Sequence, residues 1–443
     1  MKKILILLSA VILIYLWGCD DPTSMDAETY TETSILSFSI DSSIENGGSY
    51  TFTDSKIFTT EEVTATIKNE GDSELTITNV ALSGDDSDNF NLISEPDSSI
   101  AAGASSSFKI AFDGLSTGEK NATLTISNND SDNSTFTVTL NGTGTSRAWT
   151  EVTSSLDWTL STDSDTVVFN NELCSVSDSG VYSSSDGKTW ESKTTSNTYE
   201  YGSRNIVFNE KLWNMGGYLL LGNDKSYTNY DTIYSSSDGA NWAQVETSGD
   251  IWDGRSNMGL LVYKDKMWIL GGRYFSAYQV SDYYSDVWSS SDGKTWTQVT
   301  DSASWGKIIC QGVVVFDDKM WVLGGYDGSS SSYLNDIWYS SNGEDWTEVT
   351  SSPGWSARSS FGVVVYDDKM WILGGYTENE SYANDIWYSS DGENWTEFSS
   401  SNDWAARSLM GTVVYNDKIW LVGGYYYDGS TYTGTDYDDI WSW

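Results

Sequence analysis

Alternating apolar and polar residues fill the chain from about residue 34 onward, in short stretches separated by turns rich in Gly, Asn, Asp and Ser. A period of two residues is typical of β-strands that bury one face. Beyond the first twenty residues, the sequence has no stretch with the 3.6-residue apolar period of an amphipathic helix. The pattern therefore predicts an all-β protein.

Residues 34–145 carry the first group of predicted strands. The spacing of the turns predicts about seven short strands, the number found in an immunoglobulin-like sandwich. The clearest of them are Ile35–Ile40, Glu62–Lys68, Leu75–Val80, Phe108–Phe112, Ala122–Ile126 and Phe136–Leu140. Two stretches, Ile67–Gly71 and Ser127–Gly144, resemble the ASPM–SPD-2–Hydin and choice-of-anchor-D sandwiches. That resemblance implies a spacer or adhesion domain and assigns no site residues.

Residues 146–443 consist of a repeated unit. The stretches Gly312–Gly325 and Gly362–Gly375 are almost identical, and each is followed by an Asp-Ile-Trp strand and a Gly-x-x-Trp turn. The turn recurs at intervals of about 50 residues, and its positions are Asp186, Asp238, Asp292, Asn342 and Asp391. Four short strands in a unit of this length, with paired glycines and fixed tryptophans, are typical of a β-propeller blade.

These units resemble kelch repeats of the type found in the central domain of galactose oxidase. The resemblance extends over residues 147–443 and rests on a glycine pair that closes the second strand of each unit after the first. The pairs are Gly216–Gly217, Gly271–Gly272, Gly324–Gly325, Gly374–Gly375 and Gly423–Gly424. The resemblance implies the propeller architecture only, because the copper site of galactose oxidase needs histidines, which this chain lacks.

The two ends of the repeated segment complement each other. The last unit contains a third strand around Asp439–Trp441, while Trp149–Thr153 has the sequence of a fourth strand and nearly matches Trp346–Thr350. Their pairing would complete a sixth blade and protect the open sheet edges. The sequence thus predicts an immunoglobulin-like β-sandwich over 34–145, followed by a six-bladed kelch-type β-propeller over 146–443 that an N-terminal strand closes.

The connections between strands predict which face of the propeller binds a ligand. Strands alternate in direction, so the tight turns gather on one face and the long, irregular connections between second and third strands gather on the other. Variable loops on a rigid scaffold commonly carry binding residues. Tyr326 and Tyr376 begin two of these long connections and are candidate ligand contacts.

A Trp-x-x-Arg motif occurs three times just before a first strand, at Trp252/Arg255, Trp355/Arg358 and Trp404/Arg407. This position predicts that three guanidinium groups converge at the mouth of the central channel, where they would bind a carboxylate of a uronate, a sialate or an acidic peptide. The tryptophans would stack on sugar rings. The alternative is that each Trp packs within its repeat and each Arg pairs with loop aspartates.

The first 18 residues have the pattern of a signal peptide, since Lys2 and Lys3 precede an apolar run that is short for a membrane span. The stretch Leu16–Cys19 resembles the bacterial lipobox, which implies acylation of Cys19. Residues 19–33 would form a polar tether. We therefore expect an extracytoplasmic protein, lipid-anchored to a bacterial membrane; the spacer and propeller favour cell-surface display, while Asp20 leaves inner-membrane retention open.

Composition narrows the classes of function. The chain has 23 basic and 64 acidic residues, a net charge of -41, which excludes nucleic acid as a partner by repulsion. It has no histidine, which excludes Ser-His-Asp and Cys-His catalysis and histidine-ligated metals. The pattern predicts no metal site and no cofactor. Cys174 and Cys310 lie in different repeats and are expected to be buried free thiols.

A binding protein is the function that these features favour, with a protein or carbohydrate ligand on the long-loop face of the propeller. A glycan-processing enzyme is one alternative, because the Ser-Asp-Gly turns resemble the Asp-box of sialidases and the repeats are similar to those of kelch-type sialic-acid epimerases. No residues match the nucleophile and acid that a sialidase needs, so we assign no catalytic residue. A structural component of the envelope is the other alternative.

Overall fold

The β-strands predicted from the alternating pattern are present in both halves of the chain. The computed structural model describes residues 33–443 except 54, 58, 146–147, 159, 161–163, 178–179, 195–199, 222–225, 276–281 and 399–401. The signal peptide, Cys19 and nearly all of the tether lie outside these residues. Within them, the single helical segment is the 3₁₀ turn Ser87–Asn89, and no helix has the length and apolar character to cross a membrane.

The chain divides into two units, Met1–Thr145 and Ser146–Trp443. The first is a sandwich of two sheets in which most neighbouring strands pair antiparallel. One sheet contains, in spatial order, Ser42–Ile44, Leu36–Ile40, Glu61–Asn69, Ser105–Phe112 and Phe90–Leu92. The other contains Gly48–Thr51, Thr135–Thr145, Gly118–Asn128, Leu75–Ser83 and Ser99–Ile100, with Ser55–Lys56 also paired to Thr135–Thr145.

The inward-facing residues of the two sheets form the core of this unit. Leu124, Val138 and Leu140 are fully buried, while their neighbours along the strand are more exposed, as a period of two requires. The turn that precedes the last strand is also anchored, because the buried Asp130 carboxylate accepts the backbone N–H of Leu36 at 2.9 Å. The first strand is therefore fixed to a turn almost a hundred residues away in sequence.

The second unit contains, in its described residues, six sheets that are each built on four antiparallel strands. Blades 1 and 2 consist of Asp165–Phe169, Glu172–Ser177, Gly180–Ser184 and Glu191–Thr194, then Arg204–Phe208, Lys211–Met215, Ile233–Ser236 and Ala243–Gln244. Blades 3 and 4 consist of Gly259–Tyr263, Lys266–Leu270, Val287–Ser290 and Thr297–Thr300, then Gly312–Phe316, Lys319–Asp327, Ser332–Ser340 and Thr347–Thr350. Blades 5 and 6 consist of Gly362–Tyr366, Lys369–Thr377, Tyr382–Ser389 and Thr396–Glu397, then Gly411–Val414, Ile419–Asp428, Thr433–Ser442 and Thr150–Thr153.

Contacts between the first strands close these six sheets into a ring. Each first strand contacts those of the two neighbouring blades, and the strand of blade 6 contacts that of blade 1. The predicted closure is present, because Thr150–Thr153 pairs antiparallel with Thr433–Ser442, with Thr150 opposite Ser442 and Glu151 opposite Trp441. The outer edge of blade 6 is thus completed by a strand from the other end of the unit.

The Ser-Asp-Gly turns pack one blade against the next. In blade 3, Asp292 Oδ1 accepts the backbone N–H groups of Lys294 and Thr295 at 2.8 Å each. Gly293 has a φ of +72°, and a Cβ at this position would lie 2.3 Å from the ring of Trp213 in blade 2. Only glycine satisfies both the backbone conformation and the close approach.

Short strands extend the blades on the face of the second-to-third-strand connections. Four of these short strands form two hairpins. In blade 2, Tyr218–Leu221 pairs with Ser226–Asn229, and in blade 3, Arg273–Tyr274 pairs with Asp282–Tyr283. Ile308–Ile309 and Arg358–Ser359 pair with the second strands of blades 4 and 5. The expectation of irregular loops here is wrong for blades 4, 5 and 6, where the second and third strands continue past the glycine pairs as regular hairpins.

Candidate functional site

Arg358, one of the three predicted ligand-binding arginines, lies inside blade 5. Its two terminal nitrogens donate to the carboxylate oxygens of Asp385 at 2.6 and 2.8 Å. Nη1 also donates to the carbonyl of Gly374 at 2.8 Å, and Nε donates to the carbonyl of Ser356 at 3.0 Å. The side chain therefore joins the segment before the first strand to the glycine pair and the third strand of its own blade.

Blades 3 and 6 contain the same clamp, formed by Arg255 with Asp286 and by Arg407 with Asp439. Arg255 and Arg407 are 0% exposed and Arg358 is 1% exposed. The hypothesis that these arginines converge at the channel mouth and bind a carboxylate is therefore wrong. Burial and two-point pairing with aspartates already occupy the guanidinium groups. The alternative predicted such pairing with loop aspartates, but Asp385 and Asp439 lie within third strands.

The three predicted tryptophans also lie in the core. Trp252 is 0% exposed, and Trp355 and Trp404 are 1% exposed. Each packs its ring edge-to-face against a second tryptophan, for example Trp252 against Trp296 at a centroid distance of 6.4 Å and an angle of 85°. The expected stacking on sugar rings is wrong, because no ring face is open to a ligand; the tryptophans fill the space between strands.

Blade 4 has the aspartate of the clamp without its arginine. Asp336 corresponds to Asp385, but the arginine position holds Ile308. Burial, followed by the charge of Glu348, raises the pKa of the Asp336 carboxyl. Burial also acts to raise the pKa of Asp385, but hydrogen bonds and charge from Arg358 outweigh it, and that pKa is lowered. The guanidinium thus decides the direction of the shift.

Tyr326 and Tyr376, the remaining predicted contacts, belong to a row of tyrosines on the long hairpins. Among the described residues, Tyr333, Tyr382 and Tyr426 continue this row across blades 4, 5 and 6. The ring centroids are 5.2 Å apart for Tyr326–Tyr333, 5.6 Å for Tyr333–Tyr376, 4.9 Å for Tyr376–Tyr382 and 4.9 Å for Tyr382–Tyr426. We call these five residues the tyrosine stripe. Its rings pack on one another in the tilted and edge-to-face geometries that aromatic pairs prefer.

Strand register explains the order of the stripe. Tyr326 lies opposite Tyr333 in the hairpin of blade 4, and Tyr376 lies opposite Tyr382 in that of blade 5. Paired residues of an antiparallel ladder project from the same side, so each hairpin presents two rings together. All five side chains are partly exposed, so the stripe is held in place by its own packing and is still open to a ligand.

The charge around the stripe limits its ligands. Burial, followed by neighbouring tyrosines, raises the pKa of Tyr333 to about 12, and burial also raises the pKa of Tyr382. These phenols are therefore neutral hydrogen-bond donors at physiological pH. The hairpins that bear the stripe carry acidic residues near their tips, namely Asp327, Glu378, Glu380 and Asp428. This surface favours a neutral or cationic ligand over an anionic one.

Some residues of these surfaces were not singled out from the sequence. The sequence pattern does not predict Tyr333 and Tyr382, because only the hairpin register places them opposite Tyr326 and Tyr376. Asp165 and Arg204, which line the central channel, were also missed. A signal for them exists, since four of the six first strands begin with glycine and the other two begin with these charged residues.

The two cysteines of the propeller are free thiols, as expected, but differ in burial. Cys174 is buried, and loss of hydration raises the pKa of its thiol to about 12, so it is not reactive at neutral pH. Cys310 is only partly buried, which corrects the expectation for that residue. No group of three or more Cys, Asp or Glu side chains suited to a metal ion is found in the part of the chain that the structure describes.

Comparison with known families gives one match in each unit of the chain. Residues 306–443 match the KLHDC2/KLHL20/DRC7 kelch-repeats domain, and residues 49–143 match the HYDIN/CFA65/VesB-like, Ig-like domain. The sequence prediction of an immunoglobulin-like domain followed by kelch repeats is therefore confirmed, in that order. Both domain types indicate a protein-interaction or structural role. No curated protein matches the chain in sequence.

Proposed function

We propose that this chain, with its immunoglobulin-like domain followed by kelch repeats, is an extracytoplasmic lipoprotein that binds an extended polypeptide through the tyrosine stripe. The observation that carries the proposal is the stripe itself, in which five partly exposed rings are in contact across three blades. Kelch domains generally mediate protein–protein binding, which supports a polypeptide rather than a small-molecule partner.

Tyrosine is suited to this task for physical reasons. Its ring offers a large contact area and loses little conformational freedom on binding, and its phenol donates hydrogen bonds to backbone carbonyls. Tyrosines are also enriched among the residues that dominate binding energy at protein interfaces. Because neighbouring rings already hold one another in place, a ligand would meet a surface that needs little further ordering.

Electrostatics favours a neutral or basic segment as the ligand. The chain has a net charge of -41, and the hairpin tips beside the stripe add local carboxylates. The three buried arginine clamps supply no positive charge to this face. An acidic peptide or a sialylated glycan would therefore be repelled, whereas lysine or arginine side chains flanking an apolar contact would be attracted.

The remaining parts of the chain support presentation outside the cell. The lipobox-like stretch ending in Cys19 would anchor the protein, and the tether and the sandwich would hold the propeller away from the membrane. A Cys19→Ala variant tests the anchor. We expect the variant to move from the detergent phase to the aqueous phase and to lose the mass of the acyl groups. Unchanged partitioning and mass would contradict acylation.

Binding through the stripe is tested with immobilised peptide and glycan arrays. The full chain is compared with a Tyr333→Ala/Tyr382→Ala variant and with Tyr432→Ala, which removes an 81% exposed tyrosine outside the stripe. We expect basic or neutral peptides to be retained by the parent chain and by the Tyr432 variant but lost by the double variant. Retention of glycans with the same pattern would assign the stripe to carbohydrate instead. Equal retention by all three chains would refute the stripe as the binding site.

A further inference from the structure

The axis of the propeller contains a cavity of about 220 Å³, lined by residues of all six blades. It is small beside the cavities that hold drug-sized ligands, which are roughly 300–1,000 Å³. The second residue of every first strand lines it, which gives a ring formed by Thr412, Thr166, Asn205, Leu260, Val313 and Val363 in order around the axis. A cavity of this size can hold a small molecule, and the six side chains of the ring would surround that molecule.

The wall of this cavity has two chemically different halves. Blades 6, 1 and 2 contribute the polar members of the ring, Thr412, Thr166 and Asn205, whereas blades 3, 4 and 5 contribute the apolar members. At the position just before the first strand, Met258 of blade 3 and Phe361 of blade 5 are apolar, whereas this position holds Gln311 in blade 4 and Met410 in blade 6, so the separation is confined to the ring itself. A channel that served only as scaffold would need no such separation. The separation matches a ligand with a polar end and an apolar end.

Two opposite charges lie in the polar half, on adjacent blades. Asp165 and Arg204 occupy the first position of their strands, where the other four blades have glycine. The Asp165 carboxylate accepts the backbone N–H of Asn205 at 2.9 Å, which holds it close to the strand that begins with Arg204. A carboxylate and a guanidinium at neighbouring positions are complementary to a molecule that carries an ammonium and a carboxylate together.

Buried polar atoms without partners provide an independent sign of a ligand. Asn205 and Gln311 both line the cavity and are 7% exposed, yet Asn205 Nδ2 and Gln311 Oε1 have no hydrogen-bond partner among the residues that the structure describes. Buried polar groups in native proteins are nearly always paired, because leaving one unpaired is destabilising. Asn205 Nδ2 is a donor on the strand that begins with Arg204, and a donor at this place is the kind of contact that a ligand carboxylate requires.

We propose that the central cavity binds a free apolar α-amino acid. Its carboxylate would pair with Arg204 and accept from Asn205, its ammonium would pair with Asp165, and its side chain would lie against Leu260 and Val313. This site is separate from the tyrosine stripe and does not depend on the proposed function.

Calorimetric titration of the full chain tests the site. The ligands are the apolar L-amino acids alanine, valine, leucine, isoleucine, methionine and phenylalanine, and two leucine analogues that each lack one charge: leucinamide, without the carboxylate, and 4-methylpentanoate, without the ammonium. We expect at least one amino acid to bind and, for leucine, each analogue to bind at least tenfold more weakly. Arg204→Gly and Asp165→Gly should each weaken binding at least tenfold, because the charge is lost while four other blades show that glycine is accepted there.

A Lys266→Gly variant, which removes an exposed charge on a second strand, is the matched control and should bind like the parent chain. If either glycine variant fails to fold, Val363→Thr serves as the test in its place. It keeps the volume of the side chain but places a hydroxyl in the apolar half of the ring, and it should weaken binding. No binding of any of the six amino acids at millimolar concentration, leaving water as the only occupant, would overturn the proposal. Equal affinities of leucine and its two analogues would overturn it as well.

Discussion

Arg358 and Asp385 are joined by two parallel hydrogen bonds of 2.6 and 2.8 Å, although the arginine is 1% exposed. Arginines that precede the first strand of a propeller blade invite assignment to a ligand site. The geometry assigns them instead to the blade interior, where the glycine pair supplies a carbonyl for the same guanidinium. A buried ion pair is tolerated only when its remaining hydrogen bonds are satisfied, and this one is.

Arg358→Ala should lower the free energy of unfolding by about 3–5 kcal/mol, because it leaves the partly buried Asp385 carboxylate without its charged partner and with only the Trp387 Nε1–H as a side-chain donor. Denaturant unfolding of the propeller measures the effect. Arg358→Met/Asp385→Leu, which removes both charges and keeps the volume, should cost less than the single change. A loss below about 1 kcal/mol for Arg358→Ala would indicate an arginine that is dispensable for folding.

Asp385 and Asp336, whose pKa values shift in opposite directions, should give the stability of the propeller opposite dependences on pH. The pKa of Asp385 is lowered on folding, so its contribution to stability is present above its unfolded pKa and is lost as the pH falls through the folded pKa. The pKa of Asp336 is raised, so stability is lost as the pH rises from the unfolded value near 3.8 through the folded one. Asp385→Asn should therefore lower the melting temperature at neutral pH, and Asp336→Asn should raise it. Both differences should shrink in acid, and melting temperatures that shift in the same direction would contradict this account.

Substitutions at two glycines with similar φ angles distinguish the cost of backbone strain from the cost of a steric clash with a neighbouring side chain. Gly293 has a φ of +72° and no room for a Cβ beside Trp213. Gly249 has a φ of +79°, and apart from the glycine and its chain neighbours no heavy atom of the described residues lies within 4 Å of the position that a Cβ would occupy. Gly249→Ala should cost about 1 kcal/mol from backbone strain alone. Gly293→Ala should cost about 1–3 kcal/mol more, because the ring must shift. Thermal melting compares them, and equal losses would show that the turn does not pack as described.

The closing strand should be required for stability. Deletion of residues 148–153 removes the partner of Thr433–Ser442 and exposes the outer edge of blade 6. We expect a fall of several degrees or more in the melting temperature, together with concentration-dependent aggregation through the open edge. Calorimetry and light scattering measure the two effects. A chain that melts as before and stays monomeric would contradict closure by this strand.

Local sequence was sufficient to predict the fold but not the arginine contacts. The Gly-Gly pairs recur within each unit, so local sequence predicts the blades. The closing strand pairs with the distant Thr433–Ser442, but it was predictable because Trp149–Thr153 nearly repeats Trp346–Thr350. The partner of Arg358 is 27 positions away at Asp385, and its identity depends on how the third strand returns past the glycine pair. The aspartate that precedes Ile386 and Ile440 recurs in the third strands and could have indicated the partner of each arginine. However, Asp336 precedes Ile337 in the same way in blade 4, where the arginine position holds Ile308.

The tyrosines show a second limit of the sequence. Tyr326 and Tyr376 follow the glycine pairs and were visible as repeat-linked residues. Tyr333 and Tyr382 join them only because the hairpins continue in regular antiparallel register past a bulge at the glycine pair. A bulge shifts the pairing by one residue, and that shift decides which side chains share a face.

Site-specific photo-crosslinking in the native cell tests the central claim most directly. A benzophenone amino acid is placed in turn at Tyr326, Tyr376 and the exposed Tyr432, and the captured species are identified by mass spectrometry. We expect one polypeptide with a neutral or basic contact segment to be captured from Tyr326 and Tyr376 and not from Tyr432. Capture from Tyr432 alone, or the same background from all three positions, would contradict binding through the tyrosine stripe.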